Sequence, residues 1–348
     1  GHAMTRETRI ELLGAPGSPY TRKMLALLRY RHIPHKMIWG GHTNPPPGYP
    51  EPKVKLLPTF YFPGDDGAIE AAVDSTPITR RLETLYSDRS VIPDDPELAF
   101  YNALIEDYAD EWLTKAMFHY RWYHKADREN AGPLLMYWSN NTAPADQARQ
   151  MSDYFTKRQF ERLYVVGSND VTAETIEASY ARFIDILDTL LQQGGYVLGA
   201  RPASADFAIY GQLTQLGIIE PTSAAVMASR SPRVRAWLDR MEDLSGLDPA
   251  PADWFTPDAA RTALAPLLAE IGRVYAPFLI ANAKAAAEGE ANWEADIDGR
   301  PWTQPTFPYQ VKCLAALRQA HAELPANARA PVDAALRDAG CERLFAES

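Results

Sequence analysis

Hydrophobic and polar positions change period several times between residues 9 and 88. Ile10–Leu13 is a short apolar run of strand character. Pro19–Arg31 repeats apolar residues at Met24, Leu25, Leu27 and Leu28, which predicts a helix. Lys36–Trp39 reads as a second strand. GGHTNPPPGYPEP follows as a loop, because three consecutive prolines fit neither a helix nor a paired strand. Thr59–Phe62 and Ile69–Val73 flank PGDDG and predict an antiparallel hairpin, and Thr76–Leu85 closes the segment as a helix. The predicted order is β-α-β-loop-β-β-α.

From Glu97 the pattern is helical throughout. ELAFYNALIEDYADEWLTKAMFHYRWYH is long and aromatic, and further helices are expected at Ala143–Leu163, Ala173–Gln193, Ala205–Leu216 and Pro232–Leu244. Breaks fall at VVGSND, GGYVLGARP and IIEPTS. DPAPADWFTP has linker composition, and behind it Asp258–Glu288 and Pro308–Leu324 read as helices. Between those two, NWEADIDGRPWTQ carries a central Asp-Gly that predicts a small hairpin or an ordered loop. There is no internal repeat and no low-complexity tract. The expected division is a tail at 1–8, an α/β domain at 9–89, a helical domain at 96–246 and a mostly helical extension at 247–348, a length that 348 residues accommodate.

A formal charge of −10 argues against a general nucleic-acid binder, which needs a basic face. No long run of like charge suggests a binding tail, so an anionic ligand requires a local arrangement of donors. No apolar run approaches a membrane span, and TRETRIELL is too polar for a secretion signal. GHAM reads as a cloning remnant with Met4 the expected native start, and the expected location is the cytoplasm. Cys313 and Cys341 make neither a disulfide framework nor a metal cluster, and are expected to be reduced, packed thiols.

Three short stretches carry candidate chemistry. GAPGSPYTRK places Ser18 where a strand becomes a helix; it lacks the ending of a phosphate-binding P-loop, and no GxSxG elbow occurs. Ser18 is a good N-cap and Pro19 suits the first turn, which is a sufficient reading by itself. Pro58, in LLPTF, is either a strand-entry residue or a cis-proline. In VDSTPI, Asp74-Ser75 separates the last strand from its helix, with Ser75 a good N-cap and Pro77 in the first turn.

Together, in this element order, SPYTRK, LLPTF and VDSTPI resemble the glutathione transferase superfamily. YVLGARPASADFAIYGQL and SPRVRAWLDRM extend the resemblance over residues 9–246. It implies a thioredoxin-like N-terminal domain with a mixed four-stranded sheet, followed by an all-helical domain, in a serine-type, bacterial-like member. Glutathione is then the co-substrate, a small hydrophobic electrophile the second substrate, and a homodimer the usual assembly, with no metal, nucleic acid or membrane involved. The resemblance assigns Ser18 to the glutathione thiolate. A thiol with a pKa of about 8.5 falls to roughly 3.5–7.5 at a helix N-terminus, so the helix behind Pro19 would assist. Leu57, before Pro58, would pair its backbone with the glutathione cysteine. Asp74 would take the γ-glutamyl ammonium and Ser75 its carboxylate, while Lys53 or Lys55 would meet the glycine carboxylate. A redox cysteine is missing where Ser18 stands, which disfavours disulfide reduction.

Two departures from the family pattern stand out. The PPP loop replaces a helix usually found there. In PASADF the capping box is half formed: Asp206 is present, but Ala203 stands three residues before it, leaving Ser204 as the possible substitute. Tyr20, Tyr108 and Trp112 are candidates for the electrophile pocket, against the alternative that such aromatics pack the core. His119 and His124 are five apart, off the i, i+4 spacing that shares a helix face, and are read as non-ligands. Arg121 could reach an acidic partner or the substrate. The extension, with Trp254, Trp293, Trp302, Phe307 and Tyr309, is expected to pack firmly, either as a lid or as a stabilising appendage. The rival reading is a non-catalytic binding or regulatory protein whose glutathione site is altered or closed.

Overall fold

The computed structural model describes residues 9–42 and 45–346; the expected tail at 1–8 and two residues of the proline loop lie outside them. The N-terminal part runs β1 (Ile10–Gly14), α1 (Pro19–Tyr30), β2 (His35–Trp39), β3 (Thr59–Pro63), β4 (Ile69–Ala72) and α2 (Ser75–Leu85). The strands form one sheet in the order β2-β1-β3-β4. β1 pairs parallel with β2 and antiparallel with β3, and β3 pairs antiparallel with β4. This is the mixed four-stranded, thioredoxin-like sheet. Ile10, Leu12, Phe60 and Phe62 face a core shared with Met24, Leu27 and Leu28 of α1.

The helical part comprises α3 (Pro96–Tyr108), α4 (Thr114–Trp122), α5 (Lys125–Ser139), α6 (Ala145–Glu161), α7 (Ala173–Gly194), α8 (Ser204–Thr214), α9 (Pro221–Arg230) and α10 (Pro232–Met241). The aromatic stretch expected as one helix is interrupted by a π-type turn at Ala109–Leu113 and ends at Trp122. α8 is buried along its whole length and crosses α1 closely. A Cβ at Gly211 would lie 2.3 Å from the Pro19 carbonyl oxygen, so this crossing requires glycine. The half-formed cap of α8 is completed differently from the expectation. Asp206 accepts the Ala203 and Val197 N–H groups, and Asn102 Oδ1 accepts the Ala205 N–H at 2.9 Å. Ser204 turns instead to Glu106 and Asn102.

The extension adds α11 (Pro257–Glu270), α12 (Ala276–Ala287), β5 (Asn292–Ile297), β6 (Arg300–Pro305), α13 (Pro308–Ala322), α14 (Ala326–Asp338) and α15 (Glu342–Phe345). The hairpin turns at Asp298 and Gly299, both at positive φ (57° and 74°), as an Asp-Gly turn requires. Through a π-type turn, α11 and α12 form one 31-residue helix that meets the length and hydropathy of a membrane span, unlike the expectation from sequence. Here Leu264, Leu267, Ile271, Val274, Phe278 and Leu279 are buried in the protein core. α5, α9 and α14 are not singled out by periodicity; α5 and α14 carry internal prolines, which read as breaks.

Candidate active site

Ser18 caps α1 from an extended conformation, and its Oγ accepts the Thr21 N–H at 3.2 Å. It is partly exposed, and its hydroxyl donates to no group among the described residues. The loop in front of it is held from the helical part. Arg121 Nη1 donates to the Gly17 carbonyl at 2.9 Å, and Gln215 Nε2 to that of Pro16 at 3.1 Å. Arg121 is itself fixed by Glu220 Oε2 at 2.9 Å and by the Gln215 side-chain oxygen. The two roles left open for Arg121 resolve to an acidic partner and the site loop. Trp138 of α5 covers Gly17, where a Cβ would come within 2.5 Å of the indole.

Leu57–Pro58 is a cis peptide, which decides between the two readings of Pro58. The β1–β3 ladder ends at Leu13–Thr59, so the Leu57 backbone lies beyond it. Lys53 and Lys55 are exposed. Lys55 borders a small pocket with His42, Leu13 and Tyr61, beneath the proline loop. That loop is anchored by Tyr49, which packs on Tyr61 with ring centroids 4.5 Å apart and donates to Glu11 at 2.5 Å.

Asp74 and Ser75 exchange the roles expected of them at the helix start. Ser75 is the first residue of α2 rather than its cap, and Asp74, at φ 80°, occupies the cap position without capping. The Asp74 carboxylate instead accepts the Tyr309 hydroxyl of α13 at 3.0 Å. With no side chain capping α2, its first N–H groups keep their capacity for an anion. The Ser75 Oγ accepts Lys23 Nζ at 3.0 Å.

Lys23 is a residue beside the site that the sequence reading leaves out. It is buried on the inner face of α1 and also reaches Glu106 Oε2 at 2.8 Å and Asp110 Oδ2 at 2.9 Å. Arg80 meets Glu106 at 2.7 Å, so two cations serve this carboxylate. Burial works against ionised Glu106, but Arg80 and Lys23 outweigh it and hold its pKa at about 2. The i, i+4 spacing of Glu106 and Asp110 within an apolar helix was the available signal for this network.

The three pocket aromatics separate. The Tyr20 hydroxyl donates to the Asp110 carbonyl at 2.6 Å. Tyr108 is fully buried against Phe183 and Tyr275. Trp112, also buried, packs tilted against Trp302 and edge-on against Phe278 of the extension, and donates to Ser179 Oγ at 3.0 Å. Tyr108 and Trp112 therefore pack the core under the extension, whose aromatics cover the helix face expected to be a pocket wall.

Two family models match this chain: the glutathione S-transferase N-terminal domain over residues 12–90 and the glutathione S-transferase C-terminal domain over residues 169–240. Over these two segments the chain belongs to the glutathione S-transferase superfamily. No curated protein matches the sequence. Among solved structures, a Tau class glutathione S-transferase from mango is 18% identical, with 73% of this chain and 97% of that chain covered and a TM-score of 0.40. A glutathione transferase family member from Pseudomonas fluorescens, solved with two glutathione bound, is 16% identical, with 68% and 89% covered and a TM-score of 0.43. A glutathione transferase from Phanerochaete chrysosporium is 12% identical, with 70% and 100% covered and a TM-score of 0.41.

This glutathione S-transferase family member carries a group of carboxylates under α13. Burial raises Asp107 to about 7, assisted by neighbouring Asp110 and Glu106 and opposed by the Tyr275 hydroxyl. Burial likewise raises Asp110 to about 6 against the pull of Lys23, and pushes Glu111 well above the usual carboxylate range. Cys313 is raised by burial and then by these acids, so it is held as the thiol. Cys341 is fully buried and raised to about 12 by burial. Both cysteines are free thiols.

Proposed function

We propose that this protein is a glutathione-dependent transferase in which Ser18 stabilises the glutathione thiolate for attack on an electrophilic organic substrate. The observation that carries the reading is the Ser18 hydroxyl. Its oxygen is engaged by the α1 backbone while its hydrogen remains available, at the positive end of a helix, in a chain of this family. A hydroxyl so placed donates to a sulfur anion and lowers the thiol pKa. The thiolate then forms a carbon–sulfur bond while the leaving group departs with the electron pair; the thiol proton goes to solvent.

The remaining glutathione contacts follow the same reading. The Leu57 backbone pairs with the glutathione cysteine, and Asp74 accepts the γ-glutamyl ammonium. The N-terminus of α2 and the Ser75 hydroxyl meet its carboxylate; Ser75, accepting from Lys23, still has its own hydrogen to donate. Lys53 or Lys55 receives the glycine carboxylate. Tyr20 alone of the three aromatics remains a candidate for the electrophile side, and a homodimer is the expected assembly.

Calorimetric titration with reduced glutathione, on wild type and Ser18→Ala, tests this. Wild type is expected to bind and to show the ultraviolet thiolate band, and Ser18→Ala to bind without the band. A wild type that fails to bind removes the enzyme reading and leaves the closed-site alternative, which the Tyr309–Asp74 bond and the Trp138 cover favour. An undiminished band in the variant removes Ser18 from the mechanism.

A further inference from the structure

The corner between α4 and α5 gathers three metal-type donors that the glutathione site does not use. α4 ends at Trp122, and His124 precedes α5 in an extended conformation (φ −82°, ψ 136°). The five-residue spacing that separates two side chains on a continuous helix therefore does not apply, and His119 and His124 turn toward one another. His119 Nε2 lies 2.8 Å from Glu177 Oε2, on α7, and His124 Nε2 lies 3.0 Å from the same oxygen. The ligating atoms of all three residues fall within 4.8 Å of one another.

We propose that His119, His124 and Glu177 form a binding site for a divalent transition-metal ion of the zinc type, with water in the fourth position. Two imidazoles and one carboxylate are a donor set for such ions and a poor one for magnesium or calcium, which take oxygen ligands. The two N···O edges are close to what an ion needs. Donors around a tetrahedral zinc with bonds of about 2.0–2.1 Å stand about 3.3 Å apart, so the two N···O separations need to open by only a few tenths of an ångström. The imidazole rings are nearly perpendicular (79°), with centroids 5.6 Å apart. Two rings bound through Nε2 to one tetrahedral zinc place their centroids about 5 Å apart.

The surroundings also suit a ligand set. The Nδ1 of His119 lies 2.7 Å from the Oγ of Ser168, which is buried; an N–H donated there leaves the Nε2 lone pair facing Glu177. Tyr123 stacks on the His119 ring at 4.6 Å and fixes its plane. His119 is fully buried, whereas the His124 and Glu177 side chains are 32% and 33% exposed. An ion and its water can therefore enter from one side. The metal would tie the α4–α5 corner to α7.

The competing account is a carboxylate shared by two histidine N–H groups with no ion. Full-length protein stripped with a chelator separates the two on titration with Zn²⁺ by calorimetry, with Co²⁺ by visible absorption, and with Mg²⁺ as control. Expected are one Zn²⁺ per chain, a raised thermal midpoint, a four-coordinate Co²⁺ spectrum without thiolate charge transfer, and no response to Mg²⁺. His124→Asn and Glu177→Gln alter partly exposed residues. Each should weaken Zn²⁺ binding at least a hundredfold while keeping the wild-type circular dichroism. Failure of the wild type to bind Zn²⁺ overturns the proposal. So does a thiolate band, which would move the ion to a cysteine, or variants that bind as tightly as wild type.

Discussion

Replacing Lys23 by methionine removes the cation of a buried network while nearly conserving side-chain volume. Lys23 is 1% exposed and its partners Glu106 and Asp110 are 1% and 8% exposed. At 2.8–2.9 Å and an effective dielectric of about 20, each pair has about 6 kcal/mol of Coulomb attraction, most of it cancelled by desolvation. The cost of the substitution lies in what it leaves behind. Glu106 keeps Arg80 and the Ser204 hydroxyl, both at 2.7 Å. Asp110 keeps only a 3.3 Å bond from Thr76, and its other oxygen already lacks a partner. One stranded buried charge predicts a loss of about 3–5 kcal/mol at pH 8. Asp110, at about 6 with Lys23 present, rises further without it. In the variant it binds a proton that wild type has released, which offsets about 1.4 kcal/mol for each pH unit in that window. The loss should therefore be smaller at pH 6 than at pH 8. Urea unfolding followed by tryptophan fluorescence and circular dichroism at both pH values measures it. A loss under about 1 kcal/mol, or one independent of pH, refutes the reasoning.

Further outcomes follow from the same contacts. Arg121→Met strands Glu220, which is fully buried, and should cost about 3–5 kcal/mol in urea unfolding; Arg121→Met paired with Glu220→Leu should recover most of it. Gly211→Ala forces a Cβ to 2.3 Å from the Pro19 carbonyl and should lower the thermal midpoint by several degrees, at a cost of more than about 1 kcal/mol. Burial raises Asp107 and Asp206 to about 7, so the native state holds protons that the unfolded state has lost between about pH 4 and 7. Stability should fall as pH rises from 5 to 7, and Asp107→Asn should flatten that slope; a slope of opposite sign counts against both assignments. Tyr309→Phe frees the Asp74 carboxylate, and glutathione binding by calorimetry should tighten about two- to tenfold, the value of one net hydrogen bond; weaker binding contradicts a competing role for Tyr309.

The fold was legible where local signals agreed. The apolar runs of β1 and β3, the Ser18-Pro19 helix start and the central Asp-Gly of the last hairpin each have one local physical reason, and the structure has those elements. What escaped depends on partners distant in sequence. Lys23 had no local signal to single it out, because its counter-charges lie on α3 and in the π-type turn behind it. Asp74 and Ser75 were read as ammonium partner and cap, yet the residues engaging them, Tyr309 and Lys23, lie 235 and 52 positions away. Tyr108 ends α3 and Trp112 lies in the π-type turn that follows, within the stretch predicted as helix, but whether that face is wall or core depends on aromatics of the extension. His119 and His124 were dismissed on helical spacing, which failed because the helix stops between them.

The bond between Tyr309 and Asp74 makes the last hundred residues a party to events in the first hundred. If glutathione disturbs that bond by some free energy, the extension disturbs glutathione affinity by the same amount, because coupling between two sites is reciprocal. Removing the extension is then not a neutral truncation but the deletion of an effector already attached to the chain. If the chain binds glutathione as proposed, a ligand or partner that pulls on α13 from outside would acquire, through one phenol, a handle on how tightly it does so.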